Sequence, residues 1–248
     1  MIKTVIKYFS AIVFFGVVYS QNISPEIVLK NIDDNMFIQK AITKTTMIIH
    51  TRSGSRSISS KSWINGKKKS LVEYIKPARE KGKKMLRLGD KLWTYIPEPS
   101  DRIITISGHL LKQSVMGSDL SYEDITENRS MLEMYNAEII STDTIKTNLC
   151  YVVLLSAKEK NVTYHKRKIW VDIKKWLPVR EERFAKSGKL LKRTEIIESM
   201  KIGNRWYPKK IIFKDVLSRG KGTEYIIDEI KFDVSIPKYK FTKAALRR

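Results

Sequence analysis

The residues of this 248-residue chain best suited to catalysis or metal binding are three histidines, one cysteine and a short acidic cluster. His50, His109 and His165 lie far apart, no HExxH occurs, and Cys150 has no second cysteine with which to share a zinc ion. His165 alternates with basic residues in TYHKRK, which reads as a strand surface. Asp119, Glu123 and Asp124 in GSDLSYEDI lack the alternate acids and closing glutamate of a calcium loop. Ser118 or Ser121, followed by Glu123 or Asp124, instead predicts a capped helical turn. Neither GxSxG nor a glycine-rich phosphate loop occurs. Cys150, in the apolar run CYVVLL, is expected in the core. The chain is read as a non-enzyme with no metal site and no cofactor.

The chemistry that remains is burial of apolar groups and attraction of anions. The net charge is +22, carried partly by GKKK at 66–69, KGKK at 81–84, HKRK at 165–168 and KKIIFK at 209–214. These clusters interleave with apolar positions, so they read as solvated sheet faces, or as surfaces that attract anionic headgroups or an acidic partner. The N-terminus chooses among partners. MIKTVIKYFSAIVFFGVVYSQ pairs Lys3 and Lys7 with an apolar run over Phe9–Tyr19 and a small residue, Ser20, before Gln21. That pattern predicts a cleaved signal peptide at 1–20, because the run falls short of the roughly 18–20 residues that span a bilayer. A secreted protein does not meet genomic DNA, which argues against nucleic acid as a partner. Asn22, Asn128 and Asn161 begin N-x-S/T triplets, meaningful only in a eukaryotic secretory pathway.

The elements that would position these groups are mostly strands. Ser24-Pro25-Glu26 predicts a helix start, with Ile27, Val28 and Ile32 as its apolar side. From about 44 to 106, and again from 136 to 241, runs of strand-forming residues alternate with turn signals such as Asn65-Gly66 and Gly89-Asp90. They number roughly a dozen, with YKFT near the end as a further candidate. The segment 108–135 breaks the pattern and predicts short helices around a loop at Gly117. No linker divides the chain, so residues 21–248 form one all-β domain, a sandwich or a barrel.

Within KKMLRLGDKLWTYIPEPSDRIITI at 83–106, both strand faces carry apolar residues. A two-residue turn at Gly89-Asp90 places Leu86 opposite Trp93 and Lys84 opposite Tyr95, with the Lys84 stem across the ring and its charge in water. One face could pack in a core while the other lines a cavity covered by 108–120; alternation does not say which is which. LRLGDKLWTYIPEPSDRI and ISGHLLKQSVMGSDLSYEDI, with IGNRWYPKKI at 202–211 and IPKYKFTKAAL at 236–246, resemble the outer-membrane lipoprotein-sorting proteins, the LolA-like periplasmic carriers. The resemblance implies a mainly β, unclosed antiparallel half-barrel of about 11 strands, with short helices as a lid over an apolar cavity. It implies a non-catalytic, monomeric periplasmic carrier of lipid or lipoprotein acyl chains, served by an inner-membrane export complex and an outer-membrane acceptor. Leu86, Trp93, Tyr95 and Ile104 are then expected at the cavity, and Leu110, Leu111, Val115, Met116 and Leu120 on the lid. Lys76, before Pro77, stands where the carriers place a lid-tying arginine; Lys76 and Arg87 are the expected latch or headgroup contacts. The other reading is a periplasmic interaction or sensor module of an export or envelope-stress system.

Overall fold

The computed structural model describes residues 23–127, 129–160 and 162–248; the expected signal peptide and the triplet-opening Asn22, Asn128 and Asn161 lie outside them. After helix α1 (Pro25–Met36) come strands β1 (Lys40–Thr51), β2 (Gly54–Asn65), β3 (Lys69–Lys76), β4 (Lys84–Leu88), β5 (Lys91–Ile96) and β6 (Arg102–Ile106). Two 3-10 turns (Gly108–Lys112, Val115–Gly117) and short helices α2 (Tyr122–Thr126) and α3 (Met131–Met134) follow. Strands β7 (Tyr135–Ile145), β8 (Asn148–Ala157), β9 (Lys166–Asp172) and β10 (Pro178–Phe184) begin the second run. It continues with β11 (Leu190–Ile202), β12 (Arg205–Asp215) and β13 (Gly222–Phe232). Two 3-10 helices, Lys238–Phe241 and Lys243–Arg247, complete the order.

All thirteen strands join one antiparallel sheet in the order β6-β5-β4-β3-β2-β1-β13-β12-β11-β10-β9-β8-β7. The mainly β, unclosed half-barrel is therefore correct, but the count of about 11 is too low. The roughly one dozen strand signals in the sequence come nearer to the thirteen strands of the described residues, and the expected tight turn at Gly89-Asp90 forms, with Gly89 at φ 61°. YKFT is not a strand: Pro237 precedes a 3-10 turn that folds Phe241 back onto the sheet. Bulges interrupt β10, β11 and β13, among others, and a bulge bends the strand that carries it. The sheet curves without its end strands β6 and β7 meeting.

Register assigns every side chain to a face. Leu86 lies opposite Trp93 and Lys84 opposite Tyr95, so Met85, Arg87 and Leu92 point to the other side. Carried across the ladder, the same alternation puts Thr43, Thr45 and Met47 of β1, Ile58, Ser60 and Ser62 of β2, and Tyr225 of β13 with Met85 and Arg87. This is the inner face. On it, Leu110, Leu111, Tyr122 and Ile125 pack against Met85, Leu92 and Ile106. On its other half α1 buries Val28, Leu29 and Ile32 against Val153, Leu155, Ile169 and Val171. The buried stripe of α1 runs through Leu29 rather than the expected Ile27, which is 51% exposed.

The outer face of β2–β5 has its own cover. Trp63, Leu71, Leu86 and Tyr95 pack with Ala245 and Leu246 of the last 3-10 helix, joined by Trp93 and Phe241. Lys240 Nζ lies 4.1 Å from the Trp63 ring centre and Lys243 Nζ 5.8 Å from that of Trp93. Lys84 departs from expectation. It is only 6% exposed, and its ammonium donates to the Arg248 carbonyl instead of reaching water. Since Leu86 is fully buried, Leu86→Ala is expected to cost about 2–5 kcal/mol in urea denaturation. It should leave the inner face, and anything bound there, undisturbed.

Candidate functional site

A cavity of about 270 Å³ lies between the inner face of β1–β5 and β13 and the segment 107–126. One end is apolar: Met47 pairs with Ile58 across β1 and β2, Tyr74 and Tyr225 flank them, and Val115 and Leu120 close over the top. The floor carries hydroxyls, Thr45 opposite Ser60 and Thr43 opposite Ser62. Thr45 and Ser60 satisfy each other at 2.9 Å, which lowers the cost of leaving them beside apolar matter. At the far end Ser70 lies opposite Arg87, beneath Ile125 and Thr126 of α2. Apolar surface along one length and a charge at one end suit an amphiphile.

The covering segment is held by buried carboxylates, both from GSDLSYEDI. Asp119 accepts from Thr223 Oγ1 at 2.8 Å, from the backbone N–H of Asp215 at 2.9 Å and from Ser218 Oγ at 3.0 Å. Its own N–H donates to Thr223 Oγ1. Asp124 closes a capping box with Ser121, as the sequence predicts. It also accepts from Tyr164 Oη at 2.7 Å and Arg183 Nη1 at 2.9 Å. Burial alone would raise the Asp124 carboxyl, yet Arg183 and the Ser121 and Tyr164 hydrogen bonds hold it below the usual carboxylate range. Arg183 is shared with Glu181, which also pairs with Arg167. The two guanidiniums outweigh burial and bring Glu181 from 4.5 down to about 2.

The opposite edge of the lid is tied from the strands beneath. Arg87 Nε donates to the Gly89 carbonyl at 3.1 Å, and its two amino groups reach the Ile125 and Thr126 carbonyls at the end of α2. Arg56 donates to the Met116 carbonyl. At this turn Met116 and Gly117 both have positive φ, 52° and 68°. A side chain at 117 would be strained there, which explains the glycine. Strands β2 and β4 and strands β9–β13 thus grip one segment from both sides.

The sequence-predicted residues divide between the faces. Val115 and Leu120 line the cavity, Met116 packs beside Met47, Ile58 and Tyr74, and Leu110 and Leu111 sit over Met85 and Leu92. Leu86, Trp93 and Tyr95 do not line it: pairing parity sends them to the outer face beneath Leu246. Ile104 is 38% exposed and outside the cavity lining. Lys76 is exposed at the end of β3, whereas Arg87 is buried and holds α2. Sequence reasoning missed Thr43, Ser60, Ser62, Met85, Leu92 and Tyr225. Their alternation was visible, but the face they share was not. Elsewhere, His50 lies between Ser55 and Glu224 at 2.7 and 3.0 Å. Burial pushes the Cys150 thiol up to about 11, the state of an inert core cysteine. No metal-binding group of His, Cys, Asp or Glu occurs among the described residues.

A family model described as "Uncharacterized protein" matches residues 66–248. No curated protein matches the chain. Among solved structures, a domain described as outer membrane lipoprotein-sorting from Vibrio parahaemolyticus superposes with a TM-score of 0.79 at 20% identity, covering 90% of this chain and 97% of that one. A DUF1329 family protein from Desulfovibrio piger gives 0.79 at 23% identity, covering 89% and 97%. A LolA superfamily protein from Nitrosomonas europaea gives 0.73 at 24% identity, covering 90% and 99%. At these identities the likeness establishes a shared fold.

Acid is expected to loosen the lid anchor. The folded value of Glu181 lies below its unfolded value of 4.5, so its stabilisation is complete above that pH and disappears as pH falls towards 2. The contribution is on the order of 3 kcal/mol. Urea midpoints measured from pH 7 to pH 2.5 should fall most steeply below pH 4.5, and Glu181→Gln should flatten that limb. Asp119→Ala should speed amide exchange across 115–122 while strands β8–β9 keep their protection.

Proposed function

Because the chain belongs to the family whose model spans residues 66–248 and has the fold of LolA-superfamily and outer membrane lipoprotein-sorting proteins, we propose that it is a carrier that shelters an acyl chain in its inner-face cavity. The cavity beneath Val115 and Leu120 is the observation that carries this reading. Its volume of about 270 Å³ sits at the lower end of small-molecule sites, which start at roughly 300 Å³. One chain fits that space; a larger cargo requires the lid to rise. Burying a long chain releases about 0.8 kcal/mol per CH₂, on the order of 10 kcal/mol in all, so binding needs no covalent step. Release is the harder half of the cycle. A lid fastened by ion pairs and hydrogen bonds, rather than by a continuous strand ladder, gives an acceptor something to unfasten.

The carrier acts in the periplasm as a monomer. Residues 1–20 direct export and are removed, and residues 21–248 form the working domain. Lipid or lipoprotein acyl chains reach it from an inner-membrane export complex and leave to an outer-membrane acceptor. The basic surface favours anionic headgroups and leaflets over other partners.

Native mass spectrometry of protein purified from the periplasm tests the proposal. The expected result is a stoichiometric adduct of lipid mass that disappears in Ser62→Phe, which fills the cavity, and survives in Leu86→Ala on the outer face. Protein that is empty as purified and takes up no fluorescent fatty acid would contradict it.

A further inference from the structure

The cavity has a polar end, and outside that end is a second space. A recess of about 390 Å³ lies between the C-terminal end of α1, the β2–β3 turn and α2. Ile64, Arg87 and Ile125 line both the recess and the cavity, so these three side chains form the partition between them. The β2–β3 turn is the GKKK sequence at 66–69, and Lys67 from it lines the recess. The charged residues around the recess are Asp33, Lys67 and Arg87. Phe37, exposed at 40%, and Ile38 add apolar surface on the α1 side.

Resting on the carrier reading, we infer that the recess is a headgroup site for an anionic amphiphile, with a phosphate or carboxylate held between Lys67 and Arg87 and the alkyl chain passing Ile64 and Ile125 into the cavity. Three observations converge on that orientation. The interior grades from Met47, Ile58 and Tyr74 at one end to Ser70 and Arg87 at the other. Arg87 spends its hydrogen bonds on backbone carbonyls of Gly89, Ile125 and Thr126, which orient its fork at the partition, and its charge already draws the carboxylates of Asp90 and Glu127. The turn adds an exposed ammonium where a headgroup would meet water. Asp33 opposes the anion from α1, and Asp90 and Glu127 act on Arg87, so the site discriminates by how far Lys67 and Arg87 outweigh these acids. An anion drawn to Arg87 engages the same guanidinium that holds the end of α2, which links headgroup arrival to the lid.

The test compares ligands of one chain length: a fatty acid, a lysophosphatidic acid, a neutral monoacylglycerol, and inorganic phosphate alone, titrated by isothermal calorimetry. Both anionic amphiphiles are expected to bind on the order of tenfold more tightly than the neutral one. Lys67→Glu should abolish that preference and Asp33→Asn should enlarge it. Lys189→Glu, in the exposed β10–β11 turn, removes the same charge far from the recess and should preserve the preference. Equal binding of neutral and anionic chains would overturn the headgroup site while leaving the carrier reading intact. So would a loss of preference in Lys189→Glu equal to that in Lys67→Glu. Saturable phosphate binding as tight as that of lysophosphatidic acid would replace the amphiphile with a free anion. If none of the amphiphiles binds, the carrier reading fails and the headgroup site with it.

Discussion

A thirteen-stranded sheet that does not close must cover two faces with very little helix. A closed barrel would bury its interior by geometry alone. Here the outer face of β2–β5 is capped by a short C-terminal 3-10 helix, and half of the inner face by α1. The remaining inner surface is left to a segment with no ladder of its own. That shortage of cover is what makes a cavity: 3-10 turns and a five-residue helix span the curve without filling it.

So thin a lid stays down only through specific polar contacts, and these are built at low solvent exposure. Asp119 and Asp124 each gather several donors, and the Arg183–Glu181–Arg167 chain extends the second of them into β9 and β10. Removing one member would leave a buried charge without its counterpart, which costs more than the pair contributes. The arrangement therefore favours one closed geometry and a cooperative opening. Arg87 stands apart from it, because its hydrogen bonds to the lid, made from the β4 side, go to backbone carbonyls.

Much of the scaffold was legible in the sequence. The Ser24-Pro25 helix start, the Gly89-Asp90 register and the Ser121–Asp124 cap all depend on local chemistry, and all three form as expected. The cavity wall was not legible for a physical reason. Period-two alternation states which residues share a face, but both faces of β4 and β5 are apolar, so nothing local distinguishes Leu86 and Trp93 from Met85 and Leu92. The choice is made by Ala245 and Leu246, some 150 residues later, which occupy the outer side. Lys84 was misjudged likewise: a lysine expected in water is buried and meets a distant carbonyl. The hydroxyls of Thr43, Ser60 and Ser62 read as ordinary strand polarity until the ladder places them on the cavity floor.

The most direct test of the proposed carrier role is photo-crosslinking with a fatty acid bearing a diazirine at the chain end, followed by peptide mapping. Labels should fall on the apolar end of the inner face, at Met47, Ile58, Tyr74, Val115, Leu120 or Tyr225. Saturable labelling confined to the outer-face residues Leu86, Trp93 and Phe241 would contradict the account, because cargo would then occupy the face that the C-terminal helices cover.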